Sequence, residues 1–453
     1  MRGVDAVVNW LRRQWQTDRR LVGVFTAING LVLANAILHT PFTNYDALDH
    51  IEYIKVLSQG RLPGPDDTGE FFAAPLAYAP PALLAALGMR WGAVLKVAQL
   101  QNVLFSIGLT ASLVALCRRL RPGDVASPLW VLVLLGTVPL YYKMFAFVRG
   151  EPLTAFLSVL LVERVVAYAP AAGRLRDALI IGAVAGAALL SKQWALFVVV
   201  PVFGWMLWRR MSMPHLAAAA MTAVVIGGGF YASLWARFGS PAAFINEPAP
   251  AFRLDNRTAY FYTGLGWPSV FTHPVREALD QDGEIPLLPL LYADGWGDYW
   301  CYWVVRGTRE SGGWMSGDLV AAAAPALSNR DAMAPYLGRV NLAGLVPTMV
   351  MLSGVALALG ARRGHESPKD VRLPAIVVIA TMAGYFTLLI GYPDLGVKSG
   401  YQLHLLPFLA LLGGIALLRL SARPRAAVQL IIVLAALHNA PVFVTRYWWL
   451  RHW

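Results

Sequence analysis

About eleven apolar runs, separated by connections of which every second one is rich in arginine, constrain this chain more than any other feature. The runs fall at roughly 21–39, 96–117, 126–142, 152–170, 177–190, 194–208, 214–235, 341–361, 373–391, 402–420 and 426–444. Several hold about 17–22 apolar residues, enough to cross a bilayer as a helix. The basic residues are Arg12-Arg13 with Arg19-Arg20, Arg118-Arg119 with Arg121, Arg174 with Arg176, Arg209-Arg210, Arg362-Arg363 with Lys369 and Arg372, and Arg419 with Arg423 and Arg425. Basic residues in short connections mark the cytoplasmic side. The connections 40–95, 143–151, 191–193, 236–340 and 392–401 are then expected outside, with a cytoplasmic N-terminus and an extracytoplasmic Trp453. Residues 177–208 are almost continuously apolar. A single helix there would be about 46 Å long and would put Arg174 and Arg209 on opposite sides. Two helices with a tight turn at Lys192 keep both on one side, and that is the expectation.

Composition agrees with a polytopic membrane protein. Of 453 residues, 57% are hydrophobic and 14% charged, against about 25% charged in soluble domains, and the mean hydropathy is +0.53. The net charge of +12 does not read as a nucleic-acid face, because the arginines sit in short connections between apolar runs. Met1–Arg20 is basic and amphipathic. No small-residue cleavage site follows the first run, so that segment reads as an anchor and not a removed signal peptide. Cys117 and Cys301 fall on opposite sides in this topology and neither has metal-ligand spacing.

The acidic residues gather in one stretch of this basic chain, NYDALDHIEYIKVLSQGRLPGPDDTGEFFAAPLAYAPP at 44–81. Asp46, Asp49, His50 and Tyr53 follow i, i+3, i+4, i+7 spacing, one face of a helix. Asp46, His50, Tyr53, the Arg61-Leu62-Pro63 step, and Glu70 ahead of Pro75-Leu76-Ala77-Tyr78 together resemble the first extracytoplasmic loop of GT-C-type membrane glycosyltransferases. These include the protein O-mannosyltransferase and aminoarabinose-transferase relatives. Ala47 stands where many members have a second acid, and Ala74 and Ala77 interrupt the usual Pro-Pro-Leu-Tyr-Tyr string. RGEPLTAFL at 149–157 is similar to the region where an acid opens the fourth helix, with Pro152 suited to its first turn. VKSGYQLHLLPFLALL at 397–412 is similar to the late basic-aromatic motif of that superfamily.

The resemblance implies an all-α integral membrane fold and an inverting, single-displacement transfer of a sugar from a polyprenyl-phosphate carrier to a lipid, glycan or protein. That chemistry needs a carboxylate to take the acceptor proton and cations to hold the phosphate and the charge on the leaving group. Asp46 is the candidate base. Asp49, His50, Glu70 and Glu151 are candidate supporting groups. Arg149, Lys192, Lys398 and Tyr401 are candidates for the donor phosphate, with arginine suited to bidentate contact. Lys143 and Asp394 lie at the same expected depth, whereas Glu163 and Arg164 inside the fourth run read as residues that snorkel to water. In LYADGWGDYWCYW at 291–303, Asp294, Trp296 and Asp298 could hold a sugar or acceptor; the structural alternative is an aromatic cluster seating the loop on the membrane. Asp46, His50, Glu70 and Glu151 offer oxygen and imidazole ligands for a divalent ion, but no close-spaced motif commits the chain to one.

Three regions are expected: residues 1–235 as a transmembrane module whose first loop, 40–95, carries the catalysis; a loop region at 236–340; and transmembrane helices at 341–453. The expected site is on the extracytoplasmic face of the bacterial inner membrane, with the bilayer and a lipid-linked donor as partners and no nucleic acid. The rival readings are a transporter or flippase of a lipid-linked saccharide, whose polar groups should lie near the bilayer midplane on broken helices, and a non-catalytic scaffold.

Overall fold

A computed structural model describes residues 18–168, 173–241, 259–275, 286–304, 330–360, 371–391 and 397–445. The amphipathic segment 1–17, Arg362-Arg363, Lys369, Asp394 and Trp453 lie outside the described residues. The described residues are helical and contain no strand. Each expected apolar run contains a helix: α1 Arg19–Leu38, α4 Trp91–Leu120, α5 Ala126–Gly136 with α6 Pro139–Ala146, α7 Glu151–Ala167, α8 Leu175–Leu189, α9 Leu196–Trp208, α10 Met213–Phe238, α14 Arg330–Gly360, α15 Arg372–Gly391, α16 Leu406–Leu417 and α17 Ala422–Asn439. Among the described residues, six helices are long and apolar enough to cross a membrane alone, and the pair α5–α6 passes as one broken span. Between these lie α2 Ala47–Ser58 and α3 Ala79–Ala86 in the first loop, and α11 Ala259–Thr263, α12 Trp267–Thr272 and α13 Leu287–Trp296 in the long loop.

Local sequence explains the ends. Asp18 caps α1, its carboxylate accepting from the amides of Arg20 and Leu21 at 3.0 and 3.1 Å, as short acidic side chains do at helix starts. The other end of α1 is closed by Lys96, whose ammonium donates to the carbonyls of Ala36, Ile37 and His39. A cation is favourable there because the carbonyl end of a helix is negative. The apolar stretch 175–208 breaks at Ser191-Lys192-Gln193 into α8 and α9, in line with the two-helix reading.

The run 126–142, expected as one straight span, is bent by 67° between α5 and α6. Pro139 starts the new helix, where its missing amide costs nothing. A break inside a membrane frees backbone groups that must find partners within the protein. Side-chain hydroxyls supply them, Tyr142 donating to the Gly136 carbonyl and Thr137 to the Leu134 carbonyl, both at 2.8 Å. At the far end of α6, Gln99 and Asn102 of α4 donate to the carbonyls of Ala146 and Phe147 at 2.7 and 2.8 Å. Lys143, expected in the loop that follows, is therefore carried into the interior on α6 and is only 1% exposed.

The helices pack as a row, α10 on α8, α8 on α7, α7 on α4, α4 on α1. A second group, α5, α16, α14 and α17, closes against α1 and α4, while α9 pairs with α15. Lipid is as apolar as leucine, so close approach of backbones drives this association. Gly182 and Gly186 of α8 face the carbonyls of Ala219 and Ala223 on α10 with no room for a Cβ. Glu163, expected to reach water, is instead buried and held by Arg119 at 2.7 Å and Arg164 at 3.2 Å. The two cysteines, Cys117 and Cys301, are both buried.

Candidate active site

Helix polarity sorts the charges. The arginine pairs Arg118-Arg119, Arg174-Arg176, Arg209-Arg210 and Arg419 lie at the ends of α4, α8, α9 and α16. The opposite ends of the same helices carry the first loop, Lys192 and the turn Ser399–Leu405, and Arg149-Gly150-Glu151 opens α7 beside them. The candidate residues scattered over 350 positions therefore meet at one end of the bundle.

There they form a continuous line of alternating charge. Lys398 Nζ lies 2.9 Å from Asp46 Oδ2, and Arg149 Nη1 lies 3.8 Å from the same oxygen. Arg149 grips Glu151 with two bonds, Nε at 3.1 Å and Nη2 at 3.0 Å, and donates through Nη1 to the Tyr45 carbonyl at 2.8 Å. Glu151 faces Lys192 at 3.7 Å, Lys192 donates to Glu70 at 2.8 Å, and Glu70 faces His50 Nε2 at 4.0 Å. Buried ions persist only where each is paired, and this line pairs them all. Its two ends differ. Asp46 keeps 30% of its side chain exposed and Lys398 12%, whereas every other member is at 8% or less. Among the described residues the line is most accessible at the Asp46–Lys398 end.

Backbone geometry sets that end. Asp46 precedes α2 in the left-handed region, φ 56°, which aspartate visits more readily than most residues. Aspartate before a helix usually caps it; here the carboxylate makes no cap bond and turns to Lys398 instead. Burial opposes ionisation of Asp46, but Lys398 and Arg149 overcome it and hold the carboxyl at about 2. Burial alone would lower Lys398, yet Asp46 raises it above the usual lysine range. Tyr45 and Tyr401 sandwich the cations: Arg149 lies 5.6 and 5.5 Å from the two ring centres, and Lys398 5.5 and 5.7 Å. Tyr401, for which a membrane-belt anchor was the alternative, contacts both cations beside Asp46.

The other candidates fall behind this opening. Asp49 accepts from the Gly69 amide at 2.8 Å and the Thr68 hydroxyl at 3.2 Å, tying the first loop to itself. His50 is buried with Nδ1 2.8 Å from the Tyr78 hydroxyl, and burial pushes it down to about 4, so it is neutral. The expected four-residue face is not continuous: α2 begins at Ala47, Asp46 precedes it and stays 30% exposed, and His50 and Tyr53 pack inward, with the Tyr53 and Tyr78 rings 4.5 Å apart. Asp294 is fully buried. It accepts from Tyr45 and Lys143 through one oxygen and from the amide and hydroxyl of Ser399 through the other, at 2.6–2.7 Å. Asp298 accepts from the amides of Tyr302, Trp303 and Val304, and Trp296 donates to Thr348. A sugar could reach these three only by displacing bonds already made. Among the described residues no three histidine, cysteine or acidic side chains converge as metal ligands. Asp46, Glu70 and Glu151 each face a cation, so the divalent-ion set does not fit this arrangement. Tyr45, Lys143 as its neighbour across Asp294, Tyr78 and Ser399 were not expected. Only their adjacency to Asp46 and Lys398 could have marked Tyr45 and Ser399.

No protein-family model and no curated protein sequence matches the chain. Several solved structures share its architecture. One is ArnT from Cupriavidus metallidurans bound to undecaprenyl phosphate, at 16% identity and TM-score 0.50, over 93% of this chain and 65% of that one. Another is the oligosaccharyltransferase of Archaeoglobus fulgidus in its apo form, at 14% identity and TM-score 0.52, over 95% of this chain and 57% of that one. The fold is the GT-C fold. The chain spans less than two thirds of the length of each of these two structures. In this chain the first loop, the start of α7 and the turn before α16 meet at the Asp46–Lys398 end of the charged line.

Proposed function

We propose that this GT-C chain is a glycosyltransferase that moves a sugar from a polyprenyl-phosphate carrier to an acceptor hydroxyl or amine outside the cytoplasm. The observation that carries the reading is the accessible end of the charged line: one reachable carboxylate, Asp46, beside two cations and two tyrosines. ArnT's undecaprenyl phosphate supports the carrier as the ligand for those cations. In the proposed step Asp46 takes the acceptor proton as the acceptor atom attacks the anomeric carbon. The new bond forms, the bond from that carbon to the phosphate oxygen breaks, and its electron pair leaves on polyprenyl phosphate. Lys398 and Arg149 hold that phosphate and stabilise its growing charge.

The same cations explain how a carboxylate held near 2 could act as a base. A donor phosphate competes for Lys398 and Arg149. As they turn to it, and as the phosphate adds its own negative charge, Asp46 becomes a stronger base. Glu151 and Glu70 keep Arg149 and Lys192 in place, and Lys192 supports the site from behind. The alternation of arginines supports an extracytoplasmic opening, in a bacterial inner membrane. One observation leans towards a transporter, the broken helix α5–α6. Its charged residue Lys143 is, however, engaged by Asp294 and lines no opening.

Asp46→Asn keeps shape and loses proton capacity. A positioned base contributes about 10²–10⁴-fold, so turnover in a transfer assay with a purified variant and a polyprenyl-phosphate sugar is expected to fall by that factor while donor binding persists. Asp49→Asn should be milder. Near-normal turnover in Asp46→Asn would sink the carboxylate-base reading.

A further inference from the structure

Asp46 and Lys398 are 352 residues apart, and nothing in the chain's local structure brings them together. Their chain neighbours do. Tyr45, just before Asp46, donates its hydroxyl to Asp294 Oδ1 at 2.6 Å. Ser399, just after Lys398, donates its amide and hydroxyl to Asp294 Oδ2 at 2.7 and 2.6 Å. Lys143 of the broken helix neutralises the same carboxylate, at 2.7 Å, and also bonds the Asp294 carbonyl at 2.9 Å. We propose that Asp294 is a positioning residue for the Asp46–Lys398 pair, a buried clip that fastens the first and last extracytoplasmic loops to each other through α13 and α6.

The geometry is specific to that task. The four bonds to the carboxylate come from three segments: the first loop, α6 and the last loop. The carboxylate is fully enclosed, so none of these bonds competes with water, and charge-assisted bonds in such a setting are strong and directional. The Tyr45 ring also lies against Arg149, Lys398 and Lys143, so its hydroxyl bond fixes the ring plane on which the cations rest. The charges that face Asp46 are Lys398 and Arg149 on the attractive side and Asp49 and Glu70 on the repulsive side, with the neutral His50 ring and the Tyr401 hydroxyl nearby. Of these, Lys398 is the one whose placement depends directly on Asp294. A slip of about 1 Å in a reacting group can cost on the order of 10²-fold in rate. The clip therefore supplies precision that neither loop has alone.

This inference rests on the proposed transferase reading for its kinetic test, but it has a second readout that does not. Tyr45→Phe and Ser399→Ala each loosen one tether and leave the Asp294–Lys143 pair and the fold intact. With a polyprenyl-phosphate sugar as substrate, Tyr45→Phe should lower kcat about tenfold with donor KM nearly unchanged, because it frees the base. Ser399→Ala should raise donor KM about tenfold, because it frees the phosphate-holding lysine. Thr348→Val, which removes the Trp296 bond on the same helix, should lower thermal stability without producing either signature. The independent readout is infrared titration of the Asp46 carboxylate, obtained by difference against Asp46→Asn. In wild type it should stay ionised down to pH 3.5, and in the Tyr45→Phe/Ser399→Ala double variant it should begin to protonate above pH 4. No infrared shift in the double variant, or an equal shift in Thr348→Val, overturns the positioning role. The same kinetic signature in Tyr45→Phe and Ser399→Ala overturns it also. A wild-type protein without transferase activity removes the functional reading alone, and the infrared titration then decides the role of Asp294.

Discussion

Two lysines read alike in the sequence and differ in their surroundings. Lys398 ends the charged line where it meets solvent, and Lys192 sits inside it between Glu70 and Glu151. Lys398→Ala should leave the protein folded and weaken binding of a polyprenyl phosphate by roughly 1.5–3 kcal/mol, the usual loss for a charge-assisted contact. Lys192→Ala strands the buried Glu70 carboxylate, while Glu151 keeps Arg149, and breaking such a pair costs about 3–5 kcal/mol. Its expected signature is a lower melting temperature in detergent, with donor affinity following only as the folded fraction falls. Equal affinity losses at matched folding would reverse the assignment. His50 gives a pH signature. Its folded pKa of about 4 lies below the ordinary histidine value near 6.5, so the unfolded chain binds the proton first. Stability is then full above about pH 6.5 and is lost as pH falls towards 4. Thermal midpoints from pH 8 to 5 should fall in wild type and stay flatter in His50→Gln.

At the scale of elements, small residues decide how close helices come. A Cβ on Gly182 would meet the Ala219 carbonyl and Thr222. The α8–α10 contact would have to open, and overpacking of this kind costs about 1–3 kcal/mol. Gly204 on α9 has nothing within 4 Å of a built Cβ. There alanine should be neutral or stabilising, by up to about 1 kcal/mol from helix propensity. Comparing melting temperatures of Gly182→Ala and Gly204→Ala checks this, and similar losses in both would argue against the close-packed reading. The bend between α5 and α6 belongs to the same scale. Val138-Pro139 in an apolar run is a visible signal for a new helix start, but the run's hydropathy alone looks like one straight span.

For the whole molecule, orientation is the open expectation. The loop of α2 and the basic helix ends lie at opposite ends of the bundle. Single cysteines at Asp66 and Arg176, both exposed positions, should therefore differ in labelling from outside intact cells. Asp66→Cys is expected to react and Arg176→Cys to stay silent, with the native Cys117 and Cys301 buried and unreactive. Labelling at Arg176 would invert the assignment.

The membrane class and the helical fold were legible in the chain itself, as were the loops from which Asp46, Arg149 and Lys398 come together. Apolar run length answers to bilayer thickness, loop arginines answer to the side of the membrane, and both are local properties. Pairing is not local. Which cation meets which carboxylate, that Lys143 turns inward on a broken helix, and that Asp294 bonds residues of two distant loops, depend on contacts between segments hundreds of residues apart. A buried carboxylate and an exposed one are the same letter in a sequence. Only the packed bundle leaves Asp46 within reach of solvent and closes protein around Asp294.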